Sequence, residues 1–430
     1  MKEVFQNSPG SARDIRLIAL GRGISFAGDL VAANALVLHA YDRGWGTPGV
    51  SAIMIAAGAP LIIGAPVAGR IVDRLDSRLL TLTAALWEGC CAALLALVLA
   101  LAPGGPLAVA GILALIFVMG CGQAVSGPAW SALIPSAVPE DQVGRAVSTV
   151  QSVTSLAMVA GPALAGVLVG TWSVAAALWV DAASFGALLI IAACLRTRRR
   201  PGPTDDVGIQ GPWAGAIVLR RDPVLGPLVA GLLILALSLH SVLVVEVFLV
   251  RGALHGTAVD YGLISAALAV FLLVGSLLSR RIDSEAGRIR GILGSMALVP
   301  CCILAAGFAW SLPALAVVMA LVGAANGVLN VALNSLMLLR VPEALRGRTL
   351  AVLVGGLQVC NLAGTAVGGP LGSLVATRTI FVAAGLLGVL VAAVVIFVCR
   401  SLLTDRGTTD RGTTDRGTMQ VGTTAPRDPG

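Results

Sequence analysis

The chain has 430 residues, 57% hydrophobic and only 12% charged, with a formal net charge of +7 and a mean hydropathy of +0.93. Soluble domains carry roughly 25% charged residues, so an ordinary soluble enzyme is excluded: it could not hide this much apolar side chain. Collagen, coiled-coil and disordered classes fail for want of a glycine triplet, a sustained heptad or enough charge; an all-α polytopic membrane protein remains.

A bilayer core about 30 Å thick takes about 20 helical residues. Twelve apolar runs of that size follow one another: 17–39, 49–71, 79–101, 106–128, 146–170, 173–195, 224–249, 258–279, 291–310, 313–339, 349–376 and 378–399. The first is too long for a signal-peptide core and lacks a small-residue cleavage site, so it is expected to stay as an uncleaved span. All but four of the 29 Lys and Arg residues fall in the termini and in the loops from even to odd spans; the exceptions are Arg43, Arg251, Arg378 and, inside span 1, Arg22. The positive-inside rule then places both termini in the cytoplasm of a multi-pass plasma-membrane protein. The basic charge needs no nucleic acid; topology and anionic inner-leaflet lipid account for it. Trp45, Trp172 and Trp310 fall at predicted outer ends, as interfacial anchors do. The eight cysteines lie in or beside apolar runs without a C-x-x-C spacing, so they read as packing residues and not as disulfides or metal ligands. No metal and no cofactor is expected.

The longest interior polar stretch, Arg196 to Asp222, divides the spans six and six. The halves share ordered matches. Val138-Pro139-Glu140 with Gly144-Arg145 corresponds to Val341-Pro342-Glu343 with Gly347-Arg348, Arg74-Leu75-Asp76-Ser77 to Arg281-Ile282-Asp283-Ser284, and Gly161-Pro162 to Gly369-Pro370, at offsets of 203, 207 and 208. A duplicated six-helix unit is the common way to build a midplane site between two rocking halves. The expected organisation is an N-terminal bundle over 1–200, a cytoplasmic inter-half loop over 201–222, a C-terminal bundle over 223–400 and a disordered cytoplasmic tail over 401–430. The tail repeats Thr-Asp-Arg-Gly-Thr and has nothing to bury.

An ionisable residue at the bilayer midplane costs at least about 2.5–3.5 kcal/mol and persists only with a partner, a proton or a wet cavity. Asp29 lies near the middle of span 1. Arg22 is two turns earlier on the same face, so Asp29 either binds a proton or cationic cargo, or is structurally paired with Arg22 or a packed helix. Glu88, inside span 3, is read with them as a coupling candidate or a cavity-lining group. Asp181 in span 6 reads as architectural, and Glu246 near the outer end of span 7 is expected to reach water. His39 and His240 either take protons or are satisfied locally. In span 10, Asn326, Asn330 and Asn334 share one face at a spacing of four, and span 11 adds Gln358, Asn361 and Thr365. These amides either line a substrate cavity or bond between helices.

Between spans 2 and 3 the chain reads Gly69-Arg70-Ile71-Val72-Asp73-Arg74, continuing to Arg78. This resembles the loop signature of the major facilitator superfamily, G-x-x-x-D-R with further basic residues, which in that family is a gate element. Physically, Gly69 is expected to permit close helix contact, Asp73 to cap or pair, and Arg74 and Arg78 to hold the loop inside. Asp76 replaces the family's second glycine. That variant is similar to enterobactin-exporter-like and macrolide-efflux-like members, as are Pro128–Pro135 and Trp179–Phe185. In span 5, Gly161, Pro162 and Gly166 resemble the antiporter motif, a kinkable and closely packed helix, with Ala157 in place of its earlier glycine. Span 4 lacks the arginine found in many proton-coupled exporters; it carries Gln123, expected to line the cavity.

The resemblance covers about residues 15–400. It implies the twelve-helix major facilitator fold and a secondary transporter that exports a small amphipathic compound (a drug, antibiotic or siderophore-like metabolite) in exchange for protons. Its partners would be that substrate, protons and the lipid bilayer, with a monomer expected. A proton-coupled importer or a lipid flippase of the same fold are the alternatives, and a non-transporting scaffold or receptor is the alternative of another class. No G-x-x-x-x-G-K-[ST] supplies ATP chemistry, and no H-E-x-x-H or Ser-His arrangement supplies catalytic residues.

Overall fold

The structure is a computed structural model that describes residues 10–101, 105–195, 197 and 214–414. In chain order its helices are α1 (Gly10–Asp42), α2 (Gly46–Arg74), α3 (Ser77–Leu101), α4 (Pro106–Ala137), α5 (Val143–Thr171), α6 (Val174–Cys194), the short α7 (Ala214–Arg221), α8 (Leu225–Val247), α9 (Ala258–Ser279), α10 (Glu285–Gly307), α11 (Leu312–Arg340), α12 (Glu343–Leu374) and α13 (Thr377–Thr414). Twelve, all but α7, are long and apolar enough to span a bilayer.

Local chemistry sets the ends. The turn from α1 to α2 needs left-handed backbone at Gly44 (φ +68°) and Gly46 (φ +66°), which costs glycine little. Serine hydroxyls cap α6, α10 and α11, and Thr257 and Asp260 form a reciprocal capping box at the start of α9. Prolines 60, 66, 128, 135, 162, 300 and 370 lie inside helices, where neighbouring helices compensate for the lost backbone bonds.

The helix pairings repeat. In the first half α1 packs on α5 and α6, α2 on α4, and α3 on α4 and α6. In the second half α8 packs on α12 and α13, α9 on α11, and α10 on α11 and α13. These are the same five pairings, six spans on. The halves meet mainly through α5 with α9 and α2 with α12, which are one contact seen twice under the repeat.

Two expectations about the connecting chain are corrected. Within the inter-half loop, Ala214–Arg221 forms α7, whose small residues let Gly215 approach the α12 backbone at Arg348. Two arginines at its C-terminus suit the helix dipole. The tail does not lose structure at residue 401: α13 continues to Thr414, because extending a formed helix avoids the cost of nucleation. Residues 201–213 and the tail beyond 414 lie outside the described residues. The eight cysteines are free, and Cys90, Cys121, Cys194 and Cys301 are exposed and not packed.

At the basic end of the second half, Arg340 holds two elements together. Its guanidinium donates to Asp222 (3.2 Å) and pairs with Glu285 (2.6 Å). Asp222 also accepts the N–H groups of Val224 and Leu225 at 2.8 Å each, capping α8. Burial alone would raise the Asp222 carboxyl, but those N–H groups and Arg340 more than offset it and hold the group below the usual carboxylate range.

Candidate functional site

Asp29 sits midway along the first span, Arg13–Asp42. It is half-buried, and its Oδ1 accepts the Gln123 side-chain amide of α4 at 2.8 Å. Of the alternatives for Asp29, the direct pair with Arg22 is absent: among the described residues no ion pair within 4 Å joins them, and the bond to Gln123 is to a packed helix. Seven helical residues span about 10.5 Å of rise, too far for the Arg22 pair. Gln123 is thus a partner of Asp29, where the sequence suggested a free cavity amide.

Arg22, Glu88 and Asp181 lie within electrostatic range of Asp29. Glu88 of α3 is 1% exposed and Asp181 of α6 fully buried. Glu88 Oε1 and Asp181 Oδ2 have no hydrogen-bond partner, while Ser184 donates to Asp181 Oδ1 at 3.5 Å. Two glycines beside the polar residues make the room. A Cβ on Gly28 would collide with Ser184 and come within 2.6 Å of Asp181 Oδ1; one on Gly122 would come within 3.0 Å of Glu88 Cγ. Helices α1, α3 and α6 therefore bring three carboxylates and one guanidinium to one buried cluster, and α4 adds Gln123. In low dielectric, burial and like charges disfavour ionising all three carboxylates at once. Sequence reading left Asp181 out as architectural. The signal available was a glycine directly before an intramembrane polar residue, at both Gly28-Asp29 and Gly122-Gln123.

Arg22 also faces a cavity of about 370 Å³ between α1, α4 and α5, lined by Phe26, Trp130, Gln151, Thr154 and Met158 among others. Among the described residues it is the one charge on that wall, so the cavity and the carboxylate cluster share a cation.

The halves are sealed at the end opposite the basic loops. Thr47 Oγ1 donates to Gly369 O (2.7 Å) and Ser51 Oγ to Thr365 O (2.6 Å), joining α2 to α12. A Cβ on Gly166 would lie 2.7 Å from Ala258 O, and one on Gly262 2.5 Å from Pro162 O, so α5 and α9 touch backbone to backbone. Gly161 packs on α1 at Leu30 and Ala27. The small residues of the span-5 motif thus serve packing within and between halves. At the same end Arg251, in a π-helical turn over Phe248–Ala253, pairs with Asp42 at 2.7 Å and lies over the Tyr41 ring. None of these seam contacts was visible in the sequence as a seam.

Other expected residues fall elsewhere. Gly69 has nothing within 4 Å of an added Cβ, so it does not serve close helix contact; that stretch of α2 is exposed. Asp73 and Arg74 are exposed on the last turn of α2. Arg78, in the first turn of α3, donates to the carbonyls of Ala192 (3.3 Å) and Ala193 (2.5 Å) at the end of α6, a cation on a helix C-terminus. Asn330 donates to Asn326 and Asn334 to Asn330 along α11, so the stripe bonds to itself and not between helices, and Asn330 and Asn334 stay exposed. On α12, Gln358 is exposed and accepts from Asn361 at 3.4 Å. Glu246 does not reach water: it is 5% exposed, with Oε1 unpartnered. Among the described residues no cluster of His, Cys, Asp or Glu suits a metal.

Two equivalent six-helix halves, sealed against each other at one end, with a buried charged cluster inside the first, define a membrane transport protein. The chain belongs to the Major Facilitator Superfamily, whose family model matches residues 18–355 and 248–420. It is 27% identical over 391 residues to the multidrug efflux pump Tap of Mycobacterium tuberculosis (strain ATCC 25618 / H37Rv), covering 86% of this chain and 90% of that protein. It is 24% identical over 270 residues to macrolide efflux protein A of Streptococcus pyogenes, covering 60% and 64%. Among solved structures, a bacterial homologue of the human lysosomal transporter Spinster, inward-facing and unoccupied, aligns with a TM-score of 0.69 at 15% identity, covering 93% of this chain and 99% of that one. A mutant of the nucleoside transporter NupG aligns with a TM-score of 0.70 at 11% identity, covering 90% and 99%. These two share the fold.

Proposed function

We propose that this transporter exports a small amphipathic compound across the plasma membrane in exchange for protons, as a monomer with both termini cytoplasmic. The observation that carries the reading is Asp29, held by Gln123 in mid-membrane beside Arg22, Glu88 and Asp181. Protons and a cationic or neutral amphipathic substrate compete for this cluster, and that competition is what exchange requires. The N-terminal half, within residues 1–200, rocks against the half within 223–400, and the seams of α2 with α12 and α5 with α9 open in turn. Asn326, Asn330, Asn334, Gln358 and Asn361 supply neutral amides to the substrate path. Gly69, Asp73, Arg74 and Arg78 belong to the gate at the basic end. The similarity to a multidrug efflux pump and a macrolide efflux protein supports export of drug-like compounds.

The test uses everted membrane vesicles acidified inside and loaded with a pH-sensitive dye, challenged with a panel of lipophilic drugs and siderophore-like compounds. Compound-triggered proton efflux occurs with wild type and is lost in Asp29→Asn at equal protein level. Equal efflux from both removes Asp29 from the mechanism.

A further inference from the structure

Glu246 is a buried ionisable group that this exchange reading, on which the inference does not depend, leaves unused. It lies two residues before the π-helical turn Phe248–Ala253, and its neighbours Val242, Val244, Val245, Val247 and Leu249 enter the largest apolar cluster. Leu36 and Leu38 of α1, from the other half, complete that cluster. Water does not reach Glu246 Oε1, and no donor meets it.

None of the charged and titratable groups described around it bonds Glu246 Oε1. Tyr261 of α9 is buried in electrostatic range. From α1, Asp42 is paired with Arg251 and His39 stands edge-on to Trp45, while Tyr41 lies under the Arg251 guanidinium. Arg251 also donates to Gly256 O (3.4 Å); its Nε is buried without a partner, and among the described residues no ion pair within 4 Å joins it to Glu246. On α8 itself His240 bonds Ala236 O. At this end Arg378 of α13 donates to Gly307 O of α10. On α12 the nearest titratable side chain in sequence to the seam is Cys360, and α2 brings only Thr47 and Ser51, both used by α12.

We propose that Glu246 is a second proton-binding site, and that the end bearing Trp45 and Arg251 closes only when this site is occupied. A lone carboxylate with no cation or donor is strongly disfavoured in an apolar membrane core, so the sealed conformation holds the neutral acid. Parting the halves would separate α1 from α8, admit water and let the proton leave Glu246 for the outer solution. On closure the carboxylate takes one proton back from the same solution, so the site reads outer pH and carries no net proton across. One such proton changes the ratio of closed to open molecules by up to about tenfold per pH unit.

The experiment needs no substrate. Spin labels at Arg43→Cys and Ala253→Cys, both exposed and on opposite halves, are introduced into the full chain after its eight cysteines are replaced. Inter-label distances are recorded from about pH 5.5 to about pH 8.5, a range across which carboxyl groups in apolar sites titrate. Wild type moves from the short, closed distance to a longer one as pH rises. Glu246→Gln stays short throughout, and Glu246→Asp keeps a pH response. Asp29→Asn in the same background retains the wild-type response, because the gate reads Glu246; failure of the exchange reading therefore leaves this result intact. An unchanged pH response in Glu246→Gln, a wild type whose distance ignores pH, or a response lost only with Asp29→Asn would each overturn the proposal.

Discussion

Gly262 is the position where one methyl group decides between conformations. An added Cβ would sit 2.5 Å from Pro162 O, 3.0 Å from Gly166 Cα and 3.1 Å from Gly166 N. These are backbone atoms of α5, so no side chain can swing aside, and α5 and α9 must part by a substantial fraction of an ångström. Overpacking of this kind costs about 1–3 kcal/mol. The cost exists only while the seam is sealed. The helix propensity gained from Gly→Ala, about 0.5–1 kcal/mol, is the same in both conformations and cancels. Gly262→Ala is therefore expected to raise the ratio of outward-open to sealed molecules roughly 5- to 150-fold. The spin-label pair at positions 43 and 253 reads this directly. Two controls bracket it. Gly323→Ala drives a Cβ into Leu268 O of α9 within the same half, so it lowers thermal stability without moving the inter-half distance. Gly69→Ala meets open space, so it leaves the distance unchanged and raises stability slightly, by about 0.5–1 kcal/mol of helix propensity. A Gly262→Ala protein with the wild-type distance distribution would refute the assignment of α5 and α9 as a seam that opens.

Three further outcomes follow from the same geometry. Gln123→Leu leaves Asp29 Oδ1 without its donor, and losing a hydrogen bond to a charged group costs about 1.5–3 kcal/mol; exchange slows roughly 10- to 150-fold at unchanged protein level, and a wild-type rate would contradict the role given to Gln123. Arg251→Ala removes a half-exposed ion pair worth about 0.2–1 kcal/mol, so the ratio of open to closed molecules rises only about 1.4- to fivefold in the label distances, and the swap Asp42→Arg with Arg251→Asp restores it. Arg340→Ala frees Asp222 and Glu285 at once and lowers the midpoint of thermal unfolding in detergent. Asp222 is held below its unfolded value, so its stabilising contribution is present above the unfolded value and lost as pH falls through the lower, folded one. The wild-type advantage over Asp222→Asn is thus full near neutrality and shrinks only in acid, below about pH 4. An advantage that grows in acid would reverse the sign.

The sequence carried the architecture because its signals are one-dimensional. Span length, arginine placement and the repeated Val-Pro-Glu and Gly-Pro segments are read along the chain. The repeat places Val138-Pro139-Glu140 and Val341-Pro342-Glu343 in equivalent turns before α5 and α12. What it could not carry is rotation of one helix against another. Asp29 and Gln123 lie on different helices, and nothing in either span tells which face meets which. The Arg22–Asp29 pairing was the only partner visible at helical spacing, and the length of seven residues defeats it. Glu246 looked solvent-bound because it stands near a helix end, but the π-helical turn extends the buried wall past it. Gly69 carries a family signature, and signatures record composition, not contact. The helical continuation to Thr414 was hidden by a polar, repetitive composition that says nothing of an apolar helix already formed upstream.

The central claim is that one buried cluster on the first half serves both substrate and proton. Its most direct test is drug uptake into liposomes containing the purified chain, under an imposed acid-inside gradient, for wild type and Asp29→Asn. The account predicts concentrative uptake by wild type that collapses when the gradient is removed. Asp29→Asn is predicted to exchange labelled for unlabelled drug across the membrane but not to concentrate it. Concentration of drug by Asp29→Asn to the wild-type level, or by wild type without a gradient, would contradict it.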